Sequence, residues 1–137
     1  MVQFYFLSIV LNVLGGLVLA SDRIGDKFPV SKYLRDYLDE KPSLKLGFAL
    51  LAVVVGILKL LSVMKGDVPV VGDFLSVLGS WAVGVILFSE YYSVRNETET
   101  SVIEKPSNFL VRNKAVFGLA AAVIGVVHFF LPRVLFL

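Results

Sequence analysis

The sequence predicts an all-α integral membrane protein of four transmembrane helices, made by tandem duplication of one two-helix hairpin. Three observations predict it. Four apolar stretches, at about 4–21, 46–63, 70–92 and 115–137, are each close to the roughly 20 residues that cross a bilayer core. Charged residues collect between these stretches rather than along them. The chain also superposes on itself at shifts of 68 and 69 residues, with its polar positions in register. Composition agrees: 57% of residues are hydrophobic and 18% charged, against roughly 45–50% and 25% in soluble domains. Four spans fill the chain as a single membrane domain over 1–137 and leave no room for a soluble catalytic domain. Cysteine is absent, which excludes disulfides and thiolate chemistry.

The first span places Ser8, Asn12, Gly16 and Ala20 at a spacing of four, the pattern that lets helices approach closely in lipid. Val18-Leu19-Ala20 before Ser21 resembles a signal-peptide cleavage site, but Met1-Val2-Gln3 carries no positive charge, so the segment is read as a span. In the connection that follows, Ser31 is expected to cap a short interfacial helix. Tyr33, Leu34, Tyr37 and Leu38 form its apolar face, Lys32, Arg35, Asp36 and Asp39 its polar one, and Pro42 ends it.

The second span continues the small-residue face with Ala49, Ala52 and Gly56 and adds Lys59 on the same face. Next comes a short connection in which Pro69 and Gly72 suit a turn, with Asp67 and Asp73 beside them. Asp67 is suited to cap the third helix, whose N-terminal dipole favours negative charge. The third span repeats the stripe of the first with Ser76, Ser80 and Gly84. The fourth carries Gly118, Ala121, Gly125 and His128. Asn96-Glu97-Thr98 matches a glycosylation acceptor and is read as a chance match.

The self-comparison joins these elements. A shift of 68 sets Ser8 on Ser76, Gly16 on Gly84 and Asp22 on Glu90; a shift of 69 sets Lys45 on Lys114, Gly56 on Gly125 and Lys59 on His128. The repeats are 1–67 and 68–137. Each has an even number of spans, so both enter the membrane the same way, related by a pseudo-twofold axis along its normal. Ten of the thirteen Lys and Arg residues fall in or beside the two long connections. Positive charge is retained on the cytoplasmic side, so loops 22–44 and 93–113 are expected there, with both termini outside, in a cytoplasmic membrane of prokaryotic type.

Ionisable groups within spans are costly and are functional candidates by default. Lys59 and His128 lie at similar depth to Ser8 and Ser76, so each repeat is expected to offer a hydroxyl beside a basic side chain. With Asn12 and Ser80 these residues form the candidate polar site, while Gly16, Gly56, Gly84 and Gly125 are expected to pack helices. No catalytic, metal or cofactor constellation is present in the sequence, which argues against an enzyme. The leading expectation is a non-enzymatic structural or accessory subunit of a membrane complex. The alternative is a small homo-oligomeric transporter or channel built around Lys59 and His128. The expected partners are the lipid bilayer and either further copies or another membrane protein, with no nucleic acid.

Overall fold

A computed structural model describes residues 2–61, 74–95 and 109–131, and the regular secondary structure within these is all helix. In chain order the helices are α1 (Val2–Ile24), α2 (Pro29–Glu40), α3 (Pro42–Leu61), α4 (Phe74–Arg95) and α5 (Lys114–Phe130). Among the described residues, three stretches are long and apolar enough to cross a membrane: Gln3–Ile24, Pro42–Leu61 and Phe74–Val94. A shorter apolar helix, α5, has 17 residues, about 26 Å at 1.5 Å per residue; it ends at Phe130 with Leu131 as its C-cap, short of the expected end at Leu137, and residues 132–137 lie outside the described residues. So do the turn-and-cap residues Asp67, Pro69, Gly72 and Asp73, and the Asn96–Thr98 acceptor.

Both ends of α2 follow from proline. Pro29 occupies its first turn, where a missing N–H costs nothing, and Pro42 cannot continue it, so α3 starts there. Ser31 does not cap α2 as the sequence suggests. The N-cap is Phe28, and the Ser31 hydroxyl donates to the Phe28 carbonyl at 2.8 Å. Nor is the helix two-faced: Ser31 and Leu38 are buried and Leu34 packs on the core, while Tyr33 and Tyr37 stay exposed. An apolar-versus-polar pattern cannot separate residues facing protein from residues facing outward.

The long helices pack chiefly as α1 on α5 and α3 on α4, with α4 also meeting α1 and α5. Small residues make this possible. A Cβ on Gly16 would run into the Gly118 carbonyl and lie 2.6 Å from the Ala122 nitrogen; one on Gly84 would lie 2.8 Å from the Ala49 carbonyl and 2.6 Å from Val53. Gly118 and Ala122 are the residues that a 69-residue shift sets on Ala49 and Val53. Likewise, the space over Gly56 is taken by Trp81 and that over Gly125 by Val13, again positions 68 apart. Between the two polar ends described below, Val18, Leu19, Ala49, Ala52, Val83, Ile86, Leu87 and Ala121 form a buried apolar core.

Candidate functional site

The spacing of Ser8 and Asn12, and of Ser76 and Ser80, puts each pair on one helix face, and close packing turns those faces inward. All four are fully buried, and Lys59 and His128 nearly so. Four of the six residues named from sequence, Asn12, Lys59, Ser76 and His128, are joined by hydrogen bonds, whereas Ser8 bonds the backbone of its own helix and the buried Ser80 hydroxyl bonds none of them. Lys59 Nζ lies 2.8 Å from His128 Nε2 and donates to Ser76 Oγ at 3.1 Å. Asn12 Nδ2 donates to the Ser76 carbonyl at 2.9 Å and reaches Ser76 Oγ at 3.2 Å. Gly79 lets the Asn12 carboxamide lie against α4, since a Cβ there would come within 2.7 Å of Asn12 Oδ1.

The pairing differs from the sequence expectation in one respect. Lys59 does not bond the Ser8 hydroxyl of α1, which donates instead to the Tyr5 carbonyl. It bonds Ser76 of α4, because α3 packs on α4 more extensively than on α1. The result is one composite cluster in place of two separate hydroxyl–base pairs. Tyr5 was missed. Its hydroxyl donates to the His128 carbonyl, its ring lies 4.8 Å from the imidazole, and Lys59 Nζ sits 5.4 Å from its centroid, within cation–π range. An aromatic residue in an apolar run looks like a lipid-facing side chain, so nothing in the sequence singles it out.

A second polar cluster closes the opposite end of the bundle. Glu90 on α4 is 9% exposed and receives three cations: Arg35 at 3.0 Å, Lys45 at 3.2 Å and Lys114 at 3.3 Å. Lys45 also meets Asp39 at 2.7 Å, and Lys114 meets Asp22 at 2.9 Å. Lys45–Glu90 and Lys114–Asp22 are the same pair under the 68 and 69 shifts. The self-comparison matched these positions without showing that they touch. Arg35, placed by sequence on the polar face of α2, turns inward because the Glu90 carboxylate needs donors there. A cavity of about 650 Å³ opens beside this cluster, lined by Arg35, Asp39, Pro42, Lys45, Glu90 and Tyr91 among others.

Burial works against both ions of α2, but their partners outweigh it. Glu90 and Asp39 hold the Arg35 pKa above its ordinary value, and Lys45 and Arg35 hold that of Asp39 below the ordinary aspartate value. A carboxylate with a depressed folded pKa contributes stability above its unfolded pKa and loses it as pH falls through the folded one. Hydrogen-exchange protection of the α2 amides is therefore expected to fall only below the ordinary aspartate range, and Asp39→Asn to flatten that fall. Protection that declines already near neutral pH, or that Asn leaves unchanged, excludes this role for Asp39.

Among the described residues, no group of three or more His, Asp or Glu gathers as metal ligands. A protein-family model of unknown function matches residues 1–128, most of the chain. No curated protein and no solved structure matches it.

Proposed function

Because the chain belongs to this family of unknown function, its activity has to be read from its own residues, and we propose that it is a non-enzymatic four-span membrane protein that passes a small solute at the Lys59–His128 cluster. The observation that carries this reading is the 2.8 Å approach of Lys59 Nζ to His128 Nε2, both side chains being buried. Burying a basic pair inside a helix bundle costs far more than burying leucines of similar size. A device that only holds helices together has no need of it. The basic character of the two residues favours an anion or an acidic solute over a cation.

The four spans form two tandem hairpins related by a pseudo-twofold axis. The matched Gly16 and Gly84 contacts and the matched Lys45–Glu90 and Lys114–Asp22 pairs support this. Retention of basic residues on the cytoplasmic side places the Glu90 cluster there, in a cytoplasmic membrane of prokaryotic type, with the Lys59 cluster toward the outer face.

Flux tests the proposal. Purified protein in vesicles is assayed with entrapped pyranine for protons and a halide-quenched dye for anions. Wild type is expected to speed at least one signal, and Lys59→Leu with His128→Leu to slow it about tenfold, as loss of one good interaction of ~1.4 kcal/mol would. Equal flux in a folded double variant would rule the path out.

A second reading, a structural or accessory subunit, is favoured by one observation. Asn12 Nδ2 bonds a backbone carbonyl of α4, a helix-to-helix clasp that needs no solute. The mass and composition of the complex gently extracted from native membranes separate the two readings. A fixed partner in stoichiometric amount selects the subunit; the chain alone or as a homo-oligomer selects transport.

A further inference from the structure

α2 has three flanks. Ser31, Leu34, Arg35 and Leu38 face the bundle, and Lys32, Asp36 and Glu40 are exposed on one side. On the other side run Val30, Tyr33 and Tyr37, with Phe28 just before them; Val30 is 63% exposed and Tyr33 70%. The two tyrosine rings stack at 6.5 Å, and Lys41 Nζ lies 3.2 Å from the Tyr37 hydroxyl and 4.6 Å from its ring centroid.

The inward flank already satisfies the packing of α2, so this stripe is not surplus core. Clustered exposed side chains of this kind mark a contact surface. Its level along the bundle is fixed, because Arg35 is tied to Glu90 at 3.0 Å and Asp39 to Lys45 at 2.7 Å. Those partners stand where the apolar runs of α3 and α4 end. Tyrosine and lysine at such a level have the chemistry of the headgroup boundary: ring bodies and methylenes toward acyl chains, hydroxyls and ammonium toward phosphate. The exposed apolar side chains of the neighbouring spans, Leu44, Leu51 and Val54 on α3 and Leu14 on α1, offer the same kind of surface further along the bundle.

We propose that the Val30–Tyr33–Tyr37 flank of α2 is a phospholipid-contact surface at the headgroup–acyl boundary, and that the opposite flank faces water. α2 is then a helix docked on the protein and wetted by lipid along one side only, rather than one floating on the bilayer. This rests on the membrane reading above in one respect, that the long helices cross the bilayer.

The chain has no cysteine, so an introduced one is unique. Val30→Cys, Tyr33→Cys and Asp36→Cys are each tagged with a bimane fluorophore in the full chain and reconstituted in phosphatidylcholine vesicles. Lipids spin-labelled near the headgroup or deep in the acyl chain serve as quenchers, with iodide as the aqueous one. Labels at 30 and 33 are expected to be quenched several-fold more by the shallow lipid than by the deep one, and the label at 36 mainly by iodide. Val30→Cys keeps both tyrosines, so it still reports if Tyr33→Cys fails to fold.

Equal behaviour at 33 and 36 overturns the proposal. So does self-quenching at 30 that rises with protein density while lipid quenching is absent, which assigns the flank to a second copy. Cross-linking from position 30 to another protein in native membranes, without lipid quenching in vesicles, overturns it in favour of a protein partner. An alkaline wash of the same vesicles separates the two layers of inference. Protein stripped off by the wash sinks the membrane reading itself; protein retained with an unquenched flank sinks only this proposal.

Discussion

Glu90→Gln is expected to destabilise the folded chain by about 3 kcal/mol, the lower end of the roughly 3–5 kcal/mol lost when one partner of a buried ion pair is removed. Three cations from three different helices converge on this one carboxylate, which is 9% exposed. Glutamine keeps the shape and one acceptor but leaves the surplus positive charge in place. The loss stays at the lower end because each cation keeps a second carboxylate: Asp39 for Arg35 and Lys45, and Asp22 for Lys114. Those two are 43% and 62% exposed, so water screens them and they hold the cations weakly. Asp22→Asn, in the same cluster, is accordingly expected to cost less than about 1 kcal/mol. Denaturant or thermal unfolding in mild detergent, followed by size-exclusion fluorescence, compares them. Equal stability of Glu90→Gln and wild type would mean that the cluster is solvated in the folded chain and closes nothing.

The contrast between these two carboxylates shows what the sequence could and could not reveal. Asp22 and Glu90 occupy matching places in the self-comparison, as do Lys45 and Lys114, so depth along the helices was legible residue by residue. Burial was not. Periodicity gives the face of a helix and the rise gives its depth, but neither says which neighbour the face meets. For that reason Lys59 was expected beside Ser8 and is bonded to Ser76. Asn12, Lys59, Ser76 and His128, which the structure joins by hydrogen bonds, could be named from sequence because polar residues are rare in apolar runs and therefore conspicuous. Tyr5 escaped because its ring is unremarkable there. Arg35 escaped because charge on a loop helix is the expected solvated pattern, and only the fold brings Glu90 into its reach. The three flanks of α2 were compressed into two for a related reason: Leu34 and Tyr33 are alike to a two-letter apolar code, and differ only once the bundle takes one of them.

Gly16→Val and Gly84→Val are each expected to prevent assembly of the folded bundle, and to do so to a similar extent. At both positions the obstruction is backbone as well as side chain. A Cβ on Gly16 meets the Gly118 carbonyl and Ala122, and a Cβ on Gly84 meets the Ala49 carbonyl and the Val53 nitrogen, 3.3 Å away. A rotamer change cannot clear a carbonyl or an amide. The helices must separate, and with them go the dispersion contacts between their closely packed faces. Overpacking of a close core typically costs about 1–3 kcal/mol, and more where the backbone itself is displaced. The effect is expected to reach both polar clusters, because separation of α1 from α5 parts Tyr5 from His128 and Asp22 from Lys114. Gly47 supplies the control: it lies on the same α3 helix that packs against Gly84, yet a Cβ there meets nothing within 4 Å. Gly47→Ala should leave assembly intact and raise stability by roughly 0.5–1 kcal/mol through reduced backbone freedom in the unfolded chain. Yield of the monodisperse species after detergent extraction reads all three. If Gly16→Val failed while Gly84→Val assembled normally, the two hairpins would not be packed equivalently, and the pseudo-twofold arrangement proposed for them would fall with that result.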